Sequence, residues 1–146
     1  MIDSTLILLK VILSCILLFI SIIDIKAKII SNKLIIIGMI IGVIMVFLND
    51  NITIMSSLLV CMICGGIVAV ISIITKGSIG MGDAKLFACV GIWFGLQTTL
   101  GIMLIATMLS GFVGLILLTF KKVNRKTTMP FAPYVFLATI FVMIFN

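Results

Sequence analysis

The 146-residue sequence contains no glutamate and no histidine, and its acidic side chains are four aspartates, Asp3, Asp24, Asp50 and Asp83. Mechanisms in which a histidine activates a serine or cysteine are therefore excluded, and any carboxylate chemistry must come from these four positions. Charge is scarce as well: charged types make up 10 % of the chain, against roughly 25 % in soluble domains. Proline occurs twice, at Pro130 and Pro133. An ordinary soluble globule does not have this composition. What fills the chain instead is hydrophobic residues, 64 % of the total, with a mean hydropathy of +1.53. Spread along the whole length, such apolarity requires lipid to solvate most of the surface.

A membrane span needs roughly 20 apolar residues, so the chain has room for at most about six. The expectation is an all-α, polytopic membrane protein forming a single membrane-embedded domain over residues 1–146. Continuous apolar runs place span 1 at about 6–23, span 2 at 34–48, span 3 at 54–74, span 4 at 85–96, span 5 at 100–120 and span 6 at 130–145. Span 4 is short and reads as a partial helix buried by its neighbours, because exposed irregular backbone at that depth is costly.

The net charge of +6 raises the question of nucleic acid, but eight of the ten basic residues sit in three short inter-span loops. These are Lys26, Lys28 and Lys33; Lys76; and Lys121, Lys122, Arg125 and Lys126. No nucleic-acid partner is expected. The positive-inside rule makes the three loops cytoplasmic and puts both termini outside, in the plasma membrane. Cys15, Cys61, Cys64 and Cys89 all lie in apolar runs and read as buried apolar residues. Cys61 and Cys64 form a CxxC, but a zinc site would need two more ligands; no metal and no cofactor are expected. Small residues four apart, Gly38 with Gly42, Gly91 with Gly95 and Ser110 with Gly114, allow close helix approach in lipid, either within the chain or in a homo-oligomer.

An ionisable group at the edge of a span is a functional candidate by default. Asp24 closes span 1 just before a basic loop, and Asp83 opens span 4 just after one. Opposite chain directions bring both carboxylates to the cytoplasmic face. The turn before Asp83 reads Gly77-Ser78-Ile79-Gly80-Met81-Gly82; its glycines permit positive φ and close approach of another backbone. Two neighbouring carboxylates do not both ionise easily, so one can keep its proton while the other activates water. The structural alternative pairs Asp24 with Lys26 or Lys28 and makes Asp83 a cap or dipole partner of span 4. A transporter or channel subunit using Asp24 and Asp83 as ion or proton sites is the alternative from another functional class.

Three blocks add to these observations: Asp24-Ile25-Lys26-Ala27-Lys28-Ile29-Ile30-Ser31-Asn32, Gly80-Met81-Gly82-Asp83-Ala84-Lys85-Leu86, and Met129-Pro130-Phe131-Ala132-Pro133-Tyr134. In this order they resemble the type IV prepilin peptidase family, membrane aspartic peptidases with a G-x-G-D motif. Ser31 stands where that family usually has proline. The cysteine-bearing insertion of longer bifunctional members is missing, so the resemblance is to the compact, peptidase-only form of tight-adherence pilus systems and archaeal preflagellin peptidases, without N-methyltransferase activity. The resemblance implies that Asp24 and Asp83 are catalytic and that the substrate is a prepilin-like protein of a type IV pilus or secretion system, whose short basic leader is cut at the cytoplasmic face. Gly80, Gly82, Lys85, Pro130 and Pro133 are the accompanying loop or substrate-support residues. Lys85 could contact an acidic substrate group or snorkel to the interface, and the prolines suit a helix start.

Overall fold

The computed structural model describes residues 2–48, 53–74, 80–120 and 129–145. Lys76, Lys121, Lys122, Arg125, Lys126, Asp50 and the turn residues Gly77, Ser78 and Ile79 lie outside them. Among the described residues there is no strand. Five helices follow in order: α1, Ile2–Ala27; α2, Asn32–Leu48; α3, Ile54–Ile74; α4, Met81–Thr119; and α5, Ala132–Phe145. In hydrocarbon each backbone N–H and C=O needs an internal partner, and uninterrupted helices supply it. Some buried hydroxyls follow the same rule by bonding back one turn: Ser21 donates to the Leu17 carbonyl at 2.7 Å and Thr139 to that of Val135 at 2.8 Å.

Three of the helices, α1, α3 and α4, are long and apolar enough to cross a membrane, whereas α2 and α5 are shorter apolar helices. Where about six spans are expected, the described residues form five helices. Spans 4 and 5 are not separated by a loop at all. They join in α4, whose 39 residues would measure about 58 Å if straight, nearly twice a bilayer core of about 30 Å. The helix is interrupted at Gly95, where φ is +72° and ψ is 179°, a conformation open essentially to glycine alone. One residue thus replaces a connecting loop. Phe87, on the first limb, stacks edge-on against Phe131 at 5.7 Å between centroids. Gly114, on the second limb, has the Met129 sulfur 3.8 Å from where a Cβ would stand. Positions 87 and 114 would be about 40 Å apart on a straight helix, yet both reach the segment just before α5, so the chain turns sharply at Gly95. The polar stretch Gln97–Thr99, where the boundary between spans was expected, is helical, and Thr99 is fully buried.

α3 packs most extensively on α4. It runs antiparallel to the first limb, since Gly65 abuts Ala84 and Ala88 while Gly91 abuts Val60. α2 crosses the same limb on its glycine face: a Cβ at Gly38 would stand 2.9 Å from the Cys89 sulfur, and one at Gly42 2.7 Å from the Trp93 ring nitrogen. These small residues therefore seat helices within the chain. Gly91 and Gly95 do not form such a face together, because Gly95 is not helical. Trp93, Leu13, Leu17, Ile20, Leu86 and Ile102 are the largest fully buried side chains. The Trp93 indole N–H donates to the Gly38 carbonyl at 2.9 Å, removing the one polar atom of that ring from the cost of burial. Cys64 and Cys89 are buried within this packing and Cys61 is half-buried, whereas Cys15 is exposed and departs from the expected burial. Large apolar side chains such as Ile36, Phe47, Met62, Leu104 and Phe112 point outward, as lipid-facing residues do.

Candidate active site

The carboxyl end of α1 and the amino ends of α2, α4 and α5 gather at one end of the molecule. Asp24 lies in the last turn of α1, which continues to Ala27 rather than stopping at Ile23. Its side chain is 5 % exposed, a burial that a carboxylate tolerates only with a partner. That partner is the main-chain N–H of Ala132, which donates to Asp24 Oδ2 at 2.9 Å. Lys26 and Lys28 are exposed, and among the described residues neither forms an ion pair with Asp24. The chain leaves α1 through Lys28, whose φ of +53° is left-handed. The Lys28 N–H donates to the Asp24 carbonyl at 2.8 Å, the single bond that closes a left-handed helix terminus. From there Ile29 and Ile30 are directed across the start of α4.

Asp83 stands in the first turn of α4. Gly80 is the N-cap, with φ −65° and ψ 134° and no side-chain bond, and the Asp83 carboxylate folds back onto the Gly80 backbone, as the acidic member of a capping box does. A negative charge in this turn is also favoured by the helix dipole. Positive φ is found at neither Gly80 nor Gly82, contrary to expectation. The glycine at 82 serves close approach instead: a Cβ there would stand 3.0 to 3.2 Å from three carbons of Ile30. The loop after α1 is thereby pressed onto the segment that carries Asp83. Asp24 and Asp83, 59 positions apart in sequence, thus stand at the same end of the molecule.

Lys85 is exposed and donates from Nζ to Asn32 Oδ1 at 3.0 Å, a second tie between the amino ends of α2 and α4. Pro130 and Pro133 are half-buried and flank the start of α5. Sequence reasoning missed three participants. Asn32 was legible only as part of a motif, Ile30 only as one apolar residue among many, and the Ala132 N–H has no side chain to signal it.

A buried aspartate and a half-buried one, from two different helices, thus stand at one end of an apolar helical bundle of membrane type. A model of the type IV leader peptidase family matches residues 11–117. This is well over half of the chain, which therefore belongs to that family. The match includes Asp24, Gly80, Gly82, Asp83 and Lys85; Pro130 and Pro133 lie beyond it. The chain is 41 % identical over 63 residues to the prepilin leader peptidase/N-methyltransferase of Xanthomonas campestris pv. campestris, covering 43 % of this chain and 22 % of the relative. It is 34 % identical over 86 residues to the protein of that name from Pseudomonas putida, covering 52 % and 30 %. With the Legionella pneumophila protein of that name the identity is 35 % over 68 residues, covering 47 % and 24 %. The chain thus aligns to less than a third of each relative's length. No solved structure matches.

Proposed function

We propose that the protein is a membrane aspartic endopeptidase that removes the short basic leader of a prepilin-like substrate at the cytoplasmic face. The observation that carries this reading is that Asp24 and Asp83, on separate helices, stand at the same end of the bundle, with no basic partner for Asp24 among the described residues. One aspartate takes a proton from a water molecule as its oxygen attacks the scissile carbonyl carbon. The other, protonated, donates a hydrogen bond to the carbonyl oxygen. Collapse of the tetrahedral intermediate breaks the C–N bond, and the departing amine receives the proton held by the first aspartate. The basic leader would remain cytoplasmic while the substrate's apolar helix lies in the bilayer. Family membership supports the reaction class, and the basic loops support the face. The lysines of those loops anchor topology and lipid headgroups rather than bind a basic leader.

The test is co-expression with a prepilin-like protein from the same genome and measurement of the mass of the substrate's amino terminus. Wild type is expected to remove the leader; Asp24→Ala and Asp83→Ala are expected to leave it intact while remaining in the membrane. Cleavage surviving either substitution would refute the pair, and intact substrate across a panel of such candidates with folded wild type would refute the activity. Asparagine at either position preserves shape and tests the carboxylate itself.

A further inference from the structure

Resting on the peptidase reading, we infer that the main-chain N–H of Ala132 at the start of α5 is a positioning group of the active site, holding one oxygen of Asp24 and leaving the other for water. The first N–H groups of a helix have no partner within it, and the sequence Pro130-Phe131-Ala132-Pro133 disposes of them in an unusual way. Pro133 has no N–H. The Tyr134 N–H bonds back to the Phe131 carbonyl at 3.0 Å, and the Val135 N–H shares that acceptor at 3.4 Å. Within residues 132–135 the only main-chain donor left over is that of Ala132, and it is spent on Asp24 Oδ2 at 2.9 Å.

Ala132 is 1 % exposed and Asp24 5 %, so water does not compete for this bond. Among the described residues Oδ1 of Asp24 has no donor. A carboxylate fixed through one oxygen presents the other in a constant direction, which is what a group that must accept a proton from a bound water requires. Packing secures the donor in turn: Phe131 lies edge-on to Phe87, one turn beyond Asp83 on α4. The same contact therefore ties the position of the donor to the helix that carries the second aspartate.

Replacement of the Ala132 amide by an ester, through incorporation of lactic acid at this position, removes the N–H and keeps the methyl group, the carbonyl and the volume. The full chain, reconstituted in vesicles with a cleaved prepilin-like substrate, is expected to lose about ten- to a hundredfold in kcat with KM unchanged, the range for a hydrogen bond to a charged acceptor. The same ester replacement at Leu137, whose side chain is exposed on α5, controls for the substitution itself and is expected to retain the wild-type kcat. An ester chain with wild-type kcat would overturn the inference, as would a loss confined to KM. Absence of cleavage by wild type would instead count against the peptidase reading itself, so the two failures are distinguishable.

Discussion

At residue scale, the geometry of Asp24 depends on an unfavourable backbone one turn away. Lys28 adopts left-handed φ so that α1 can close and Ile30 can reach Gly82, and a non-glycine residue there costs roughly 1–2 kcal/mol. Lys28→Gly is expected to raise stability by about 1 kcal/mol, read as a shifted unfolding midpoint in detergent. An unchanged or lowered midpoint would mean that the lysine makes compensating contacts. The contact at Gly82 allows an opposite experiment. A methyl group at 82 meets the branched carbons of Ile30 at 3.0 to 3.2 Å, so Gly82→Ala must displace the loop that follows Asp24. Cleavage is expected to fall, and Ile30→Ala in the same chain is expected to restore most of it, with a coupling of about 1 kcal/mol in a double-mutant cycle. Additive losses would show that the two residues do not act on each other.

At the scale of elements, Gly95 decides whether α4 is one rod or two limbs. Its φ and ψ lie where a Cβ is strained by roughly 1–3 kcal/mol, although open space surrounds the position. Gly95→Ala is therefore expected to destabilise the fold by about that amount through backbone strain alone, measured by unfolding in detergent micelles, whereas Gly101→Ala, also in open space but helical with no positive φ, is expected to raise stability by about 0.5–1 kcal/mol. Equal effects would place the cause in packing. The same position marks the limit of what the sequence discloses. Apolar runs and charged punctuation make α2 and α3 legible almost to the residue, and the parity of chain direction puts Asp24 and Asp83 at the same end of the bundle. A turn made by one glycine leaves no polar interval, so the boundary between spans was assigned to Gln97–Thr99, which the structure buries in part inside a helix. The Ala132 donor escaped for a related reason: main-chain groups carry no residue label, and only the pairing of Pro133 with the Tyr134 back-bond reveals which N–H remains.

At the scale of the whole molecule, the basic connections and the carboxylate pair must share one face of the bilayer if a basic leader is to be cut there. The antiparallel run of α3 against the first limb of α4 and the return of the second limb toward Met129 bring the carboxyl ends of α1, α3 and α4 to the end that holds Asp24 and Asp83. The eight basic residues in or beside those connections would then hold that end in the cytoplasm, and the connection between α2 and α3, which carries Asp50 and no basic residue, would lie outside. Two single cysteines in an otherwise cysteine-free chain separate the faces: Lys33→Cys, one residue into α2 beside the site, and Thr53→Cys, immediately before α3. Both positions are exposed, so access to either is governed by the bilayer and not by burial. A membrane-impermeant maleimide added to intact cells is expected to label position 53 and to reach position 33 only after the membrane is opened. The reverse pattern would put Asp24 and Asp83 on the outer face, where a substrate leader held in the cytoplasm could not reach them, and cleavage would then require a different pair of groups.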